Sequence, residues 1–452
     1  MLTRIEINGF KSFQDFALDL HPFHVFIGGN GVGKTNLFEA IHLIAALAHE
    51  RTAEEAFRKG RGAISELFTL FPDGTRAKRI AFAVEMLTER TINLNGLEAE
   101  KARAVLSSRL RYEVTLESRI ENGRERVYVV REALLPIKEA DDTWAKEILS
   151  TKARKAYIVR EKRPPYIETV DGEGGKPTIY RNQDAPGGGR EGTLVGALER
   201  TCLSTANALR YPTIHAAREE MSRWRFLSLN PASLRQPVGK TAPDTLLPNG
   251  SNMTAVLKRL SGTTGLLETI SKDLAIFIPT VSKILLTPIL GEDDAEETLL
   301  EIETTDKGRF SSRVLSDGTL RLLTLITLKR DPRHQGVITF EEPENGVQPM
   351  RLRQIVDVLF ALASDPEREY DADPRPVLRQ VIINTHSPNL LAHVPGDSVS
   401  FMQMKPTEKG RTTRVIPVRP EMFPDENGRY LTWEQVTQAL DESTRKDDPP
   451  GL

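Results

Sequence analysis

Alternating hydrophobic and polar positions open the chain. Residues 2–7 (LTRIEI) and 16–20 (FALDL) alternate, which predicts two half-buried strands. The compact apolar run at 24–27 (HVFI) predicts a buried strand, and apolar residues then recur at helical spacing over 37–48. The glycine-rich segment 28–36 (GGNGVGKTN) is therefore expected to join a buried strand to a helix.

Three apolar segments of the second half have polar residues at one end. Residues 337–340 (VITF) have the composition of a buried parallel strand and run directly into Glu341 and Glu342. The stretch 381–391 begins as another apolar strand and then reads threonine, histidine, serine. In 314–328, a serine, an aspartate and a glycine precede a strongly apolar helix, which they are suited to cap.

The loop at 28–36 matches the phosphate-binding pattern G-x-x-x-x-G-K-[ST]. Glycines allow backbone N–H groups to turn toward a phosphate, and the following helix directs its positive end at the same anion. The lysine would reach the β- and γ-phosphates, and the threonine hydroxyl would bind Mg²⁺. The alternative is a glycine-rich turn with a solvated lysine. The candidate nucleotide-binding residues here are Gly28, Asn30, Gly31, Gly33, Lys34, Thr35 and Asn36.

Two adjacent glutamates at a strand end repel each other and lose hydration, so they favour a nearby cation or polarised water. We expect Glu341 to be a metal-side ligand with Thr35, and Glu342 to act as general base or to position the attacking water. His386 would contact the γ-phosphate or that water. The alternatives are a solvated acidic turn, helped by Pro343, and a structural histidine.

Composition narrows the class of protein. The 452 residues carry a formal net charge of −2, so no global basic field indicates nucleic acid, and the length predicts two domains or one with a large insertion. The single cysteine, Cys202, excludes a disulfide framework within the chain and favours a reducing cytoplasm. Neither a signal peptide nor a membrane-spanning segment is expected.

The sequence resembles the ABC-type ATPases of the SMC/RecF-like branch in the order of its motifs. These are the phosphate loop, LSDGT, the strand ending in EE and the strand ending in TH. FEEPENGVQP is similar to the short AAA-type ATPases related to the OLD family. The resemblance covers about 1–90 and 300–420. It implies an α/β fold, a P-loop NTPase of ABC type with a mixed sheet. An α+β insertion would separate the phosphate loop from the signature motif.

The resemblance also implies roles for single residues. Glu341 and Glu342 would be the Walker B acid and the catalytic glutamate, and His386 the switch histidine. Ser316, Asp317 and Gly318 would form the signature motif, which contacts ATP bound to the other subunit of a head-to-head homodimer. Lys11 and Ser12 would lie near the nucleotide, and Asn345 and Gly346 in the D-loop.

Two features depart from the family pattern. Glu341 replaces the usual aspartate, and no glutamine suited to a Q-loop lies between the first helix and residue 90. We expect four regions: an N-terminal ATPase lobe with Walker A, an insertion, a C-terminal ATPase lobe and a C-terminal helix with a frayed tail from residue 441. Their bounds are 1–90, 91–295, 296–420 and 421–452.

Within the insertion, the pattern predicts a hairpin at 109–135, a mobile glycine-rich stretch at 171–192, and helices at 193–209 and 216–229. The basic stretch 152–163, with Tyr157 between its cations, could bind DNA phosphates. A solvated strand face is the favoured alternative. The basic residues are Lys152, Arg154, Lys155, Arg160, Lys162 and Arg163.

The first functional hypothesis is an ATP- and Mg²⁺-dependent ATPase subunit of a prokaryotic anti-phage defence system. OLD-family proteins carry a Toprim nuclease after the ATPase, and this sequence shows none. A separate effector, such as a nuclease or toxin, is therefore expected as a partner. The alternatives are a RecF-like repair clamp that binds DNA directly and a slowly hydrolysing, nucleotide-gated scaffold.

Overall fold

The computed structural model of the protein describes most of the chain, and all structural statements below concern that part. Its ranges are 1–92, 103–161, 164–171, 177–184, 188–196, 198–291, 295–306, 308–367, 378–395, 398–420, 425 and 428–447.

The described residues form twenty strands. They are β1 (Leu2–Asn8), β2 (Phe16–Asp19), β3 (Phe23–Ile27), β4 (Arg79–Leu87), β5 (Thr91–Ile92), β6 (Arg103–Ala104), β7 (Arg109–Glu121), β8 (Arg124–Pro136), β9 (Ile167–Asp171), β10 (Pro177–Asn182), β11 (Arg190–Leu194), β12 (Arg225–Leu227), β13 (Val238–Gly239), β14 (Val281–Leu290), β15 (Glu296–Thr304), β16 (Gly308–Ser311), β17 (Gly336–Glu341), β18 (Arg379–Thr385), β19 (Val399–Thr407) and β20 (Gly410–Pro417).

The same residues form twelve α-helices. They are α1 (Lys34–Leu47), α2 (Ala53–Phe57), α3 (Thr143–Ile148), α4 (Thr151–Tyr157), α5 (Pro212–Ser222), α6 (Pro231–Leu234), α7 (Met253–Ser261), α8 (Leu266–Phe277), α9 (Asp317–Arg330), α10 (Leu352–Leu362), α11 (Pro388–Leu391) and α12 (Trp433–Asp447).

A six-stranded sheet, in the order β12-β17-β18-β3-β19-β20, carries the nucleotide motifs. All neighbours in it pair in parallel except β19 and β20, which form an antiparallel hairpin. Strands β3, β17 and β18 are apolar because they are covered on both faces, as predicted for 24–27, 337–340 and 381–385. Their carboxyl ends therefore meet at one edge of the sheet.

An antiparallel sheet of eight strands, β11-β10-β9-β8-β7-β4-β1-β2, lies beside the first. From Thr3 onward, strand β1 alternates buried positions with half-buried or exposed ones, as its sequence predicts. The predicted hairpin is β7–β8, and its turn uses Asn122 and Gly123 with φ values of 51° and 74°. Positive φ at both turn positions matches the right-handed twist of the strands, which explains the Asn-Gly pair.

Helices α1 and α9 fill the two main hydrophobic clusters. Leu37, Ile41 and Ile44 of α1 pack with β1 and β4 in one cluster, whereas Leu320 and Leu323 of α9 pack with β17 and β18 in the other. The helix predicted from the apolar spacing after the phosphate loop is thus present. No helix in the described ranges is long and apolar enough to cross a membrane.

One side chain cross-links the two large sheets. Gln380 of β18 is fully buried, and its Nε2 donates to the carbonyl oxygens of Leu2 (2.7 Å) and His21 (3.0 Å). Its Oε1 accepts from the backbone N–H of Leu2 (2.9 Å). Strand β1 is therefore tied to the strand that leads to His386.

Strands of the segment 91–295 contribute to all four described sheets, and β12 pairs in parallel with β17. The prediction of a helix at 193–209 is wrong, because β11 ends at Leu194 and the next helix, α5, begins only at Pro212. Of the stretch 171–192, predicted to be mobile, the described residues include the end of β9, all of β10 and the start of β11. The expected helix at 216–229 ends at Ser222, before β12.

Two further expectations need correction. The first part of the basic stretch lies on helix α4, which ends at Tyr157, rather than on a strand face. Tyr157 is 5% exposed, so its ring offers no stacking platform. Arg160 pairs with buried Asp142, which also binds Arg109. Lys162 and Arg163 lie outside the described residues. Helix α12 continues to Asp447, past the predicted start of a frayed tail; residues 448–452 lie outside the described part.

The Gln380 cross-link predicts a stability effect. Gln380→Leu keeps the volume but leaves one buried N–H and two buried carbonyls without partners, so unfolding free energy should fall by roughly 3 kcal/mol in urea denaturation. Gln438→Leu, on the exposed face of α12, is the control and should change little. A Gln380→Leu protein as stable as the parent would show that the two sheets do not depend on this contact.

Candidate active site

The phosphate loop adopts the backbone that its glycines allow. Gly31 and Gly33 have φ values of 72° and 102°, in the region that favours glycine. A methyl group on Gly33 would collide with Thr413, and one on Gly28 would collide with the carbonyl of Met402. No side chain caps α1, so the N–H groups of its first turn are available to an anion.

Lys34 is a largely buried cation at the start of α1, 5% exposed. Its Nζ donates to the carbonyl oxygens of Gly28 and Gly29, both at 2.7 Å. Burial lowers its pKa to about 8, opposed by three nearby glutamates. The ammonium group therefore remains charged at neutral pH, and phosphate oxygens in the loop would compete with the two carbonyls for its protons.

A chain of polar contacts leads from Lys34 across the sheet edge. Lys34 Nζ lies 3.2 Å from His386 Nδ1, and His386 Nε2 lies 3.1 Å from Glu342 Oε1. Asn345 donates to the other oxygen of Glu342. Burial and the charge of Lys34 lower the pKa of His386, while Glu342 opposes them. A neutral imidazole that accepts at Nδ1 and donates from Nε2 satisfies both contacts.

Glu342 has a strained backbone, with φ at 43°. Its N–H lies 3.1 Å from both the backbone and the side-chain oxygen of Asn384, the β18 residue aligned with Glu341. The two acceptors fix the left-handed conformation at the end of β17. The chain therefore turns sharply, and the Glu342 carboxylate contacts His386.

Glu341 has the properties of a metal-side ligand. Its Oε1 is buried without a hydrogen-bond partner, and its Oε2 lies 3.5 Å from a guanidinium nitrogen of Arg61. Thr35 follows Lys34 in the first turn of α1. The described residues contain no cluster of three or more acidic, histidine or cysteine side chains suited to a metal.

Glu344 is a site residue that sequence reasoning missed. Thr385 Oγ1 donates to its Oε1, while its Oε2 is buried without a hydrogen-bond partner. Burial raises the pKa of this carboxyl above its usual range. The E-E-P-E spacing was the available signal, since it places a third acid one turn beyond the strand end.

The segment predicted to be the signature motif, Ser316 to Gly318, lies at the N-terminus of α9. Ser316 caps the helix as predicted, its Oγ accepting from the N–H of Thr319 at 3.2 Å, and Asp317 pairs with Arg235. Gly346 packs against Asp317, which brings the signature and D-loop segments together. Ser316 is exposed. Within the described part of the chain, no hydrogen bond or ion pair connects residues 316–318 to the phosphate loop.

Lys11 and Ser12 lie beside the first turn of α1. Ser12 Oγ accepts from Asn36 Nδ2 at 3.1 Å, whereas Lys11 pairs with Glu39 of α1. The structure thus places Ser12 against the phosphate loop, whereas Lys11 is held at Glu39, further along α1. Lys11 would have to leave or share Glu39 to reach a phosphate.

Two family profiles match the chain. Residues 1–125 match "AAA ATPase domain", and residues 215–392 match "AAA domain, putative AbiEii toxin, Type IV TA system". These segments hold the phosphate loop in one case and the signature, both glutamates and His386 in the other.

Shorter stretches are similar to the DNA replication and repair protein RecF. The protein from Acidothermus cellulolyticus is 39% identical over 106 residues, which are 23% of this chain and 28% of that one. The protein from Lactococcus lactis subsp. cremoris is 42% identical over 55 residues, 12% of this chain and 15% of that one. The matched part therefore spans less than a third of these relatives.

Among solved structures, an Smc head bound to the C-winged helix domain of ScpA overlaps with a TM-score of 0.48 at 12% identity, covering 92% of this chain and 97% of that one. An Smc head with a coiled coil and joint from Pyrococcus yayanosii gives 0.45 at 10%, covering 98% and 99%. These overlaps are loose. The strand order and phosphate loop define a mixed α/β P-loop NTPase fold, and the predicted resemblance to SMC/RecF-like ATPases is confirmed.

The strain at Glu342 makes a stability prediction. Glu342→Gly should be more stable to urea than Glu342→Ala by about 1 kcal/mol, because only glycine accepts this backbone without strain. Both variants lose the same carboxylate, so the comparison isolates the backbone.

Glu341, in the regular strand beside it, is the matched control. There the order should reverse, with Glu341→Ala more stable than Glu341→Gly. The same order at both positions would mean that residue 342 carries no conformational strain.

Proposed function

We propose that this site binds ATP with Mg²⁺ and hydrolyses it. The observation that carries the proposal is the contact chain from Lys34 through His386 to Glu342. In this chain an ammonium group, an imidazole and a carboxylate lie side by side at the carboxyl edge of parallel strands. Ligand sites of open α/β sheets lie at such edges.

The residues have complementary roles in this reaction. Lys34 and the N–H groups of α1 would stabilise charge on the phosphate oxygens, and Glu342 would accept a proton from the attacking water. His386 would donate from Nε2 to Glu342 or to a γ-phosphate oxygen. Thr35 and Glu341 would hold Mg²⁺, which neutralises phosphate charge when bound.

A cleft next to the phosphate loop suits the nucleoside. It has a volume of about 810 Å³ and lies on the side of Ser12 and Asn36, whereas Glu342 and His386 mark the γ-phosphate end. Leu70, Phe71 and Pro72 line it, and Leu70 is 57% exposed. The flat face of the adenine base could cover these side chains while the phosphates of the nucleotide extend toward Lys34.

The same proposal includes an ATP-dependent homodimer. Ser316 is exposed, and among the described residues its hydroxyl hydrogen-bonds only to Thr319, in the first turn of α9. Two apolar side chains, Val314 (68% exposed) and Met350 (83% exposed), flank the signature and D-loop segments. A second copy of the chain would cover them as its triphosphate met the N-terminus of α9.

The proposed biological role is an ATPase subunit of a prokaryotic defence system that acts with a separate effector, such as a nuclease or toxin. The toxin–antitoxin description of the profile matched by residues 215–392 supports this role. Similarity to RecF over 106 residues supports a second candidate, a repair ATPase that binds DNA directly.

Glu342→Gln tests the hydrolysis mechanism. Glutamine keeps the shape but accepts a proton poorly, so ATP should bind normally and turn over about 10²–10⁴-fold more slowly. The slow variant should accumulate as an ATP-bound dimer in light scattering with ATP and Mg²⁺. Lys34→Ala, which lacks the phosphate cation, should show no ATP binding in calorimetry.

Ser316→Arg is the matched control for dimerisation, because it leaves the phosphate loop intact but blocks the signature surface. It should bind ATP and stay monomeric. Parent-rate hydrolysis by Glu342→Gln would exclude Glu342 as the general base. If the mass of Glu342→Gln in light scattering is the same with and without nucleotide, the protein forms a constitutive assembly and ATP does not control dimerisation.

Direct DNA binding has weaker structural support. Of the basic stretch, Lys152 and Lys155 project exposed from α4, whereas Arg160 is committed to Asp142. The Lys152→Glu/Lys155→Glu double variant should weaken any DNA binding while sparing ATP turnover, and binding by the parent should fall steeply with salt. A gel-shift series without DNA binding at low salt would remove the repair-clamp candidate and leave a protein partner.

A further inference from the structure

The hairpin β19–β20 forms a wall behind the phosphate loop. The carbonyl of Met402 in β19 closes the space around Gly28, and Thr413 in β20 closes the space around Gly33. Thr413 is fully buried and lies nearly four hundred positions from the loop in sequence. Its side chain has no role in the contact chain from Lys34 to Glu342.

The hydroxyl of Thr413 makes two contacts whose direction can be assigned. Thr413 Oγ1 donates to the carbonyl of Val32 at 2.9 Å, and Ser12 Oγ lies 2.8 Å from it. A hydroxyl has one proton, so Ser12 must donate to Thr413. Ser12 Oγ in turn accepts from Asn36 Nδ2 at 3.1 Å.

These contacts form a directed chain, from Asn36 through Ser12 and Thr413 to Val32. It begins in the first turn of α1 and ends within the phosphate loop, so it closes a ring around Gly33. Hydrogen bonds in such a chain polarise and strengthen one another in a buried setting. Backbone contact reinforces it, since the N–H of Thr413 donates to the carbonyl of Ser12 at 2.9 Å.

We propose that Thr413 is a positioning residue for the phosphate loop, which it holds in the phosphate-binding conformation through Val32, Gly33 and Ser12. The inference rests on the proposed ATP binding at this loop. It assigns a role in nucleotide binding to the β19–β20 hairpin. The hairpin thereby joins the N-terminal residue Ser12 to the phosphate loop.

Thr412 is a natural control beside it. Its side chain is also fully buried and holds the same N-terminal loop, accepting from the N–H of Gln14 at 3.1 Å and lying 3.2 Å from the carbonyl of Ser12. It makes no hydrogen bond to residues 28–36 of the described phosphate loop. A loss of fold stability and a loss of loop positioning can therefore be separated.

Thr413→Val keeps the shape and removes the hydroxyl. By calorimetry, its affinity for ATP should fall about tenfold, the size expected for one hydrogen bond. The affinity of this variant for tripolyphosphate should fall by the same factor, because the substitution affects the phosphate loop and not the cleft for the base. Thr413→Ser should restore binding, and Thr412→Val should lower the melting temperature while leaving ATP affinity unchanged.

Phe71→Ser separates the loop from the base cleft, since it should weaken ATP and spare tripolyphosphate. Parent-like ATP affinity in Thr413→Val, or an equal loss in Thr412→Val, would overturn the positioning role. Failure of the parent protein to bind ATP, or normal binding by Lys34→Ala, would instead overturn the proposed function itself.

Discussion

The buried ammonium group of Lys34 is the charge on which the rest of the site depends. Its burial costs hydration free energy, which two loop carbonyls and three surrounding glutamates offset. The glutamates in turn need a cation, because they would otherwise repel one another at the end of β17. Loop, strand end and His386 therefore form one electrostatic unit.

Parallel strands bring this unit together. Strands β3, β18 and β17 are neighbours, so the phosphate loop, His386 and the paired glutamates leave the same edge of the sheet. Residues far apart in the chain therefore become adjacent, and no long side chain has to span the distance between them. Asn384 then fixes Glu342 in a conformation that a free chain would avoid.

Support for the site comes from elements outside it. Gln380 ties β18 to β1, and the β19–β20 hairpin presses Met402 and Thr413 against the two outer glycines of the loop. A rigid surrounding is what positions charges for phosphate chemistry, since a loop that relaxes loses the alignment of its N–H groups. The two sheets and the hairpin thus all help to hold the phosphate loop and the strand ends in place.

The sequence alone determined the features with a local physical cause. The glycines, Lys34 and the helix spacing predict the phosphate loop and α1, and apolar runs predict β3, β17 and β18, because burial on two faces selects continuous hydrophobic residues. Only the tertiary structure decided the contacts of Gln380, Glu344 and Thr413, whose partners follow no periodicity. The segment 193–209 shows the reason most clearly. Its helix-like pattern is overridden because the N–H groups of Cys202 and Leu203 donate to the buried carboxyl of Glu132, a partner that no local pattern reveals.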